Sequence, residues 1–309
     1  SGRGQLHVAP TGRSGDGSPG NPFGTLEAGL RAVGPGQTMV VHGGEYRERI
    51  NLGSQLAVGR SDARITVTAA GGERPVVRGL LRLRGLRYWT IEGINVTWDA
   101  ERNARNEHMV VFTDGSNWVY RNSEVWGARS YAGVLVGGDP VGWALRGLHI
   151  HDTHPSNDTN QDHLIYCNCG RGGGVIERNL LVGSTNGRAI KVGTVHDHNT
   201  SISNVTIRYN TMIDNTGPSN IQLSYRVSNV TIERNLLVGV KAGRANITTY
   251  RLAGTGNVAR NNLGWRSDGV VQSDPGLIDG GGNTHSDPRL QSGYRPGAAA
   301  AKGYGHLAN

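Results

Sequence analysis

Four side chains in the middle of the chain have the types that proton-transfer chemistry requires. Lys191 and Tyr166 can each accept or donate a proton, and Arg188 and His163 stand three residues before them. A lysine acts as a base only where its pKa is lowered by roughly 2 to 3 units, and burial or a neighbouring cation has that effect. We expect cationic neighbours to lower the pKa of Tyr166 as well. The cluster predicts acid and base catalysis beside a bound anion, with the two roles unassigned among Lys191, Tyr166 and His163.

The segments that hold these residues predict short stacked strands. They read HMVVF, AGVLV, HLIYC, RAIKV, NIQL and NITTY, with an aliphatic residue at the same place in each. That place predicts an inward column of Val110, Val134, Ile165, Ile190, Ile221 and Ile247. Alternation sends the next residues outward as Val111, Leu135, Tyr166, Lys191, Gln222 and Thr248, with neighbours about 4.8 Å apart. Tyr166 and Lys191 are therefore predicted neighbours, and we infer from their polarity that Arg188 and His163 face the same cleft.

Other polar and aromatic residues near these strands are candidates for binding a substrate. Arg188 can hold a carboxylate through two hydrogen bonds, and the amides of Gln222 and Asn168 can donate further ones. Asn168, Ser224 and Tyr250 form the next predicted outward column. Predicted sugar contacts are Trp143, Tyr225, Tyr250 and Arg251, and predicted cleft walls are Asp158, Asp162, His196, Asp197 and His198. Trp143 equally suits packing at a corner, and Asp158 and Asp162 are predicted to orient His163.

A repeat runs through the chain and predicts how these strands are stacked. Seven segments share two short apolar strands around an Asn or Gly, at Gly93, Asn122, Gly147, Asn179, Asn210, Asn235 and Asn261. They recur about every 25 to 32 residues, a period typical of a solenoid. Asn and Gly tolerate the left-handed backbone of a bend, and stacked Asn amides can bond from coil to coil. The pattern predicts an all-β parallel β-helix.

The two ends of the chain depart from this repeat. Residues 24–33, GTLEAGLRAV, predict a short amphipathic helix that caps the first coil. Residues 273–309 are rich in Gly, Pro and Ala and predict an irregular segment that wraps back over the last coils. We therefore expect one domain over residues 1–309.

Composition narrows the classes of partner. The 48 glycines and a net charge of +8 indicate tight turns and an anionic partner, while no nucleic-acid-binding motif is present. No apolar run is long enough to span a bilayer, so we expect a soluble, secreted monomer whose export signal has been removed. Cys167 and Cys169 are one residue apart, a spacing that predicts two free thiols.

The opening GDGSPGNPFGTLEAGLRAVGPGQTMVVHGGEYRERI, the coil repeats and the ending DPRLQSGYRPG resemble carbohydrate-active right-handed parallel β-helix proteins. Polysaccharide lyases that act on alginate, chondroitin and pectate are the class that the chain resembles most. The resemblance covers nearly the whole chain and implies a Lys, Arg, Tyr or His at the catalytic face, which Lys191, Arg188, Tyr166 and His163 provide. Glycoside hydrolases, epimerases and phage tailspikes share the fold, so the fold alone does not decide the reaction.

The residue types favour β-elimination from a uronate such as alginate or glucuronan. In this reaction a base removes the proton at C5, while cationic or hydrogen-bonding groups stabilise the carboxylate. One alternative is a glycoside hydrolase that uses two acids from Asp139, Asp152, Asp158, Asp162 and Asp197. Another is a glycan-binding or tailspike-like module without catalysis.

The segment LHIHDTHPSNDTNQDH carries enough imidazoles and carboxylates to suggest zinc or calcium binding. His149 falls within a strand on another face, however, and no zinc motif is matched. We therefore predict a cleft wall without a metal in the site. No cofactor is required on this interpretation, and calcium remains an option for neutralising the substrate carboxylate.

Overall fold

The computed structural model describes residues 4–154, 162–194, 196, 200–215 and 217–309. Across these residues the chain forms a parallel β-solenoid, in which strands of successive coils stack into three long sheets. Because each strand pairs with its equivalent in the coils before and after it, backbone hydrogen bonds run along the length of the solenoid. One apolar core extends inside it from Val8 to Leu277.

The first sheet has eleven strands and the third sheet has ten. The first consists of Gln5–Val8, Thr38–Val41, Ile65–Ala69, Trp89–Glu92, Val119–Arg121, Trp143–Arg146, Gly174–Glu177, Val205–Arg208, Thr231–Glu233, Asn257–Arg260 and Leu277–Asp279. The third consists of Gly44–Tyr46, Pro75–Arg78, Asn95–Thr97, Glu124–Trp126, His149–Thr153, Leu180–Ser184, Thr211–Ile213, Leu236–Val238, Leu263–Trp265 and Thr284–His285.

The second sheet has eight strands and carries the candidate catalytic residues. It consists of Arg49–Leu52, Leu80–Arg84, Val110–Thr113, Ala132–Gly137, His163–Cys167, Ile190–Gly193, Ile221–Ser224 and Ile247–Tyr250. The predicted inward column is confirmed, because its six members pair in register and are all fully buried. The register of the predicted outward column is confirmed by the same pairings.

An asparagine ladder stabilises the bend between the first and third sheets. Asn179 Nδ2 donates to Asn210 Oδ1 at 2.9 Å, and Asn210 donates to Asn235 in the same way at 3.0 Å. The ladder continues through Asn262 and Asn283. Coil-to-coil bonding of the amides was predicted, but Asn261 is not a member, because its neighbour Asn262 occupies the buried position.

The left-handed residues of this bend stand one place earlier than predicted in three coils. Gly93, Asn122, Gly147 and Asn261 have positive φ as expected, but the equivalent residues of the other coils are Arg178, Tyr209 and Arg234. The alignment of Asn179, Asn210 and Asn235 with Gly93 was therefore wrong. The backbone bend and the amide ladder occupy adjacent positions, and an Asn suits either of them.

The helix spans Leu26–Ala32, shorter than the predicted 24–33. At the helix start, the Thr25 hydroxyl accepts from the Ala28 amide, and the Glu48 carboxylate accepts from the amides of the first two helical residues, Leu26 and Glu27. Leu26 and Leu30 are buried, and the helix packs on the first two strands of the first sheet. Its capping role stays a prediction. No helix among the described residues has the length and apolar character needed to cross a bilayer.

The repeat continues further than predicted at the other end. Leu277–Asp279 and Thr284–His285 still pair with the preceding coil, so the departure begins after His285 rather than at residue 273. The chain then forms a small antiparallel hairpin of Leu290–Gln291 with Arg295–Pro296. Two 3-10 turns occur in the same segment, at Ser292–Tyr294 and Ala299–Ala301. This tail returns over the third sheet, where Ala301 packs with Ile213, Leu236, Val238 and Leu263. A two-stranded ladder, Ile202–Ser203 with Val227–Ser228, extends one corner.

Cys167 and Cys169 form a disulfide, so the prediction of two free thiols was wrong. Their Cα atoms lie 5.0 Å apart, within the usual range for a disulfide. The strand ends at Cys167, so Cys169 lies beyond it. The Cα separation of 5.0 Å is shorter than the roughly 6.6 Å of this spacing in a continuing strand, so the chain bends after Cys167.

Candidate active site

The second sheet brings the four predicted catalytic residues together on two adjacent coils. Tyr166 pairs in register with Lys191, and Lys191 Nζ lies 5.2 Å from the centroid of the Tyr166 ring. The His163 and Tyr166 rings are also neighbours, with centroids 5.6 Å apart. The arrangement places an amine, a phenol and an imidazole on one patch of the outward face.

His163 reaches this face because alternation fails at the start of its strand. Leu164 and Ile165 are consecutive residues, yet both belong to the core, so His163 turns outward beside Tyr166. The backbone N–H of Arg188 donates to His163 Nδ1 at 3.0 Å. Since Nδ1 accepts this bond, the neutral ring carries its proton on Nε2 and presents a donor there. The main chain of Arg188 thus helps to fix the His163 ring, which Asp158 and Asp162 were predicted to orient.

Burial sets the protonation of the two cationic side chains. Lys191 is only 5% exposed, and burial, with Arg188 as the second cause, lowers its pKa to about 8. Burial and Arg244 lower the pKa of Arg188 to about 10, which leaves it cationic at neutral pH. The pKa of His163 falls well below its ordinary value because of burial and of the nearby Lys191 and Arg188. The patch therefore combines a cation, a neutral imidazole and an amine that titrates near neutral pH.

Tyr166 departs from the sequence-based expectation. Its side chain is 3% exposed, and burial raises the pKa of the phenol rather than lowering it. The prediction that cationic neighbours would lower this pKa was wrong, because loss of hydration outweighs the attraction of the neighbouring charges. Tyr166 therefore keeps its proton and is suited to donate it.

Several buried polar atoms at this patch have no hydrogen-bond partner among the described residues. They are Tyr166 Oη, His163 Nε2 and Gln222 Oε1. Buried polar atoms are almost always hydrogen-bonded, so such a group indicates a place where a ligand or water completes the bonding. The observation favours a polar ligand at the Tyr166 and His163 coil and its neighbours.

Gln222 lies next to Lys191 in the outward column. Its Nε2 donates to Ser224 Oγ at 2.9 Å, which leaves Oε1 as the free atom. Rotating the amide by half a turn keeps this contact, since the serine hydroxyl can donate to Oε1, and presents the NH2 group instead. Gln222 can serve the predicted carboxylate contact only in that second orientation.

The predicted sugar contacts divide between the site and the core. Tyr250 is 48% exposed at the end of the second sheet, where Tyr225 packs against its edge and Arg251 Cζ lies 5.4 Å from its ring centroid. Asn168 lines a surface cavity of about 380 Å³ with Asp139 and Arg171. These residues extend the exposed surface around the patch.

Trp143 does not reach the site. It lies in the first sheet, is 1% exposed and stacks on Trp118 with ring centroids 5.8 Å apart. The prediction of a sugar contact was wrong here, since the ring packs at the corner of the core.

The predicted cleft walls are described only in part. Asp162 is fully buried, and its carbonyl oxygen accepts from the hydroxyls of Thr153 and Ser184. The carbonyl of His196 accepts from the Thr194 hydroxyl. Asp158, Asp197 and His198 lie outside the described residues.

Three residues on this sheet were missed by the sequence reasoning. Arg82 occupies the outward column three coils before Tyr166. Ser219 lies at the other end of that column, where its hydroxyl accepts from Thr248. His108 lies on the same face, with its ring centroid 5.4 Å from that of Tyr131. A signal for His108 was available, because HMVVF and HLIYC both begin with His at the same place in their coils.

Solved structures share this fold at low sequence identity. A pectate lyase, Pel9A, has a TM-score of 0.59 at 14% identity, covering 93% of this chain and 82% of its own. An alginate lyase from Paenibacillus sp. str. FPU-7 has a TM-score of 0.50 at 15% identity, covering 92% of this chain and 98% of its own. A GH136 lacto-N-biosidase from Eubacterium ramulus has a TM-score of 0.51 at 10% identity, covering 92% of this chain and 68% of its own. No protein-family model and no curated protein matches the chain. The resemblance in fold to β-helix polysaccharide lyases is confirmed, and the reaction must be argued from the site.

Proposed function

We propose that the chain is a polysaccharide lyase that cleaves a uronate-containing polysaccharide, such as alginate or glucuronan, by β-elimination. One observation carries the proposal: an amine with a pKa lowered to about 8 lies beside a phenol that keeps its proton. The two groups supply the base and the acid that elimination needs. Secretion and a monomeric state belong to the same proposal, since a large polysaccharide is met outside the cell.

The reaction assigns one role to each of the four residues. The neutral Lys191 amine removes the proton at C5, and the electrons of that C–H bond form the C4=C5 double bond. The C4–O bond to the leaving sugar breaks, and its oxygen takes the Tyr166 proton. Arg188 and the Nε2–H of His163 stabilise the charge that develops on the C5 carboxylate. Lysine and tyrosine then exchange their protons with solvent to restore the site.

The site favours elimination over hydrolysis. A glycoside hydrolase requires two carboxyl groups roughly 5 to 9.5 Å apart across the bond that it cleaves. Of the predicted acids in the described part of the chain, Asp152 belongs to the third sheet and contacts His151. Asp162 is fully buried, and Asp139 lines the surface cavity beside Asn168. The groups whose rings or charges act on one another around Tyr166 are His163, Lys191 and Arg188, which suit an anionic substrate.

Ultraviolet absorbance tests the proposal, because elimination leaves a conjugated double bond on the new non-reducing end. The wild type is incubated with alginate, glucuronan, pectate, hyaluronan and chondroitin. We expect the absorbance to rise when the wild type acts on a uronate polymer. In Lys191→Met the rate of this rise should be at least 100-fold lower, in line with the usual contribution of a general base. Lys241→Met is the matched control, since Lys241 is exposed in a turn, and its rate should equal that of the wild type.

Two results would contradict the proposal. New reducing ends without absorbance would show hydrolysis. Tight binding of a glycan with neither signal would show a binding module.

A further inference from the structure

A second cluster of chemically active side chains lies on the third sheet, away from the candidate active site. Glu124 and His149 occupy paired positions on adjacent coils, and His151 follows His149 two residues later on the same side of its strand. The three residues can each direct one ligand atom to a common point, with those atoms all within 4.8 Å of one another. All three side chains are partly buried, so the cluster is accessible to an ion.

His151 contacts a carboxylate through each of its two ring nitrogens. His151 Nδ1 lies 2.5 Å from Asp152 Oδ2, so Nδ1–H donates to that carboxylate. His151 Nε2 lies 2.6 Å from Glu124 Oε1, and two lone pairs cannot face each other at that distance. At this distance the contact is a hydrogen bond with a proton between the two atoms, and a metal ion would take the place of that proton once Nε2 and Oε1 move apart. A carboxylate behind one ring nitrogen is the usual arrangement for a histidine that binds metal through the other.

His149 is the third residue of the cluster. Its ring stacks on that of His151 with centroids 4.4 Å apart, and no hydrogen bond to its ring nitrogens occurs among the described residues. A ring nitrogen without a hydrogen-bond partner among the described residues, beside the Glu124 and His151 pair, is available as a third ligand.

The surroundings of Glu124 leave one of its oxygens for an ion. Arg74 donates to Oε2, whereas Oε1 faces His151. Ligand atoms on one tetrahedral zinc lie roughly 3.3 Å apart, so small rotations of the three side chains suffice. His306 of the tail lies near His149, but its Nδ1 contacts the Thr211 hydroxyl at 2.7 Å.

We propose that Glu124, His149 and His151 bind one divalent transition-metal ion, with zinc as the best match. Two imidazoles and one carboxylate suit zinc, and three protein ligands leave a fourth position for water. The ion links two adjacent coils of the third sheet, so binding stabilises the fold in proportion to its occupancy.

Calorimetric titration of the chelator-treated full chain with zinc chloride tests this proposal. We expect one ion per chain and a rise in the thermal midpoint. His149→Ala should weaken zinc binding at least 10-fold, and Asp152→Asn should weaken it about 10-fold by loosening His151. Cobalt(II) should give the intense visible absorption of a tetrahedral site in the wild type and lose it in His149→Ala.

The control is His42→Ala. His42 contacts His7 at 3.0 Å and Glu73 at 3.1 Å, in a chain of contacts that do not converge on one point. We expect this variant to bind zinc as the wild type does. Absence of binding by the folded wild type, or equal weakening in His42→Ala and His149→Ala, would overturn the proposal.

Discussion

Lys191 holds its amine where water is largely excluded, and this position destabilises the folded chain at neutral pH. Its pKa falls from 10.5 to about 8 on folding, so the unfolded chain binds the proton more tightly. The resulting loss of folding stability is therefore complete below pH 8, and it shrinks as the pH rises from about 8 towards 10.5. A group kept in such a position for catalysis rather than stability is typical of active sites.

Replacing this lysine should stabilise the protein while abolishing activity. We expect Lys191→Met to raise the free energy of unfolding at pH 7 by up to about 3 kcal/mol, the value of a shift of this size. The gain should shrink to less than half at about pH 9.5, where the folded wild type has lost the proton. Denaturant titrations of both proteins at the two pH values measure it. A destabilised variant at pH 7 would show that Lys191 supports the fold.

The second cause of the lowered pKa is Arg188, and its share can be measured directly. The chain contains three lysines, Lys191, Lys241 and Lys302, so lysine labelled at the ε-carbon gives three assignable NMR signals. We expect the pKa of Lys191 to rise by a fraction of a unit in Arg188→Gln, because burial is the larger cause. Arg171→Gln is the control for loss of a positive charge. An unchanged Lys191 titration in Arg188→Gln would contradict the electrostatic coupling of the pair.

The asparagine ladder is the element that fixes the bend between the first and third sheets. Asn210 is fully buried, accepts from the backbone and side chain of Asn179, and donates to Ile176 O and Asn235 Oδ1. We expect Asn210→Ala to lower the free energy of unfolding by about 2 to 4 kcal/mol, since several buried groups lose their partners. Denaturant titration measures this change. Asn51→Ala, at an exposed position, should change stability by less than about 0.5 kcal/mol, and equal effects of the two variants would refute the ladder's role.

The strands could be predicted from the sequence, because alternation with a 25-to-32-residue recurrence leaves one side for residues such as Ile165 and Ile190. The structure differs from the sequence-based predictions where a bend interrupts the alternation. Leu164 is buried beside Ile165, so the outward position of His163 follows from a bend and not from alternation. The Cys167–Cys169 disulfide likewise depends on a bend that no pattern marks.

The electrostatics of the site could be predicted only in part. The lowered pKa of Lys191 was expected from burial or a neighbouring cation, and burial followed by Arg188 is its cause. The raised pKa of Tyr166 was not expected, because it depends on burial by residues distant in sequence. Trp143 illustrates the same limit, since an aromatic residue suits a sugar contact or a core equally until its sheet is known.

At the scale of the whole molecule, the net charge of +8 implies that an anionic polymer is attracted before it reaches the site. We expect kcat/KM on a uronate polymer to fall several-fold as sodium chloride rises from about 0.01 to 0.3 M, because salt screens long-range attraction. The value of kcat should change little, since the buried groups at Tyr166 and Lys191 are screened less. Sucrose at equal osmolality is the control, and a salt-independent kcat/KM would contradict electrostatic attraction.

The most direct test of the central claim is the pH dependence of kcat/KM for double-bond formation by the wild type. We expect an ascending limb with a midpoint near pH 8, set by deprotonation of Lys191. The rate should remain high until the acid Tyr166 and the cation Arg188 lose their protons at higher pH. A limb near pH 6.5, retained in Lys191→Met, would instead assign proton removal to a histidine and contradict the account.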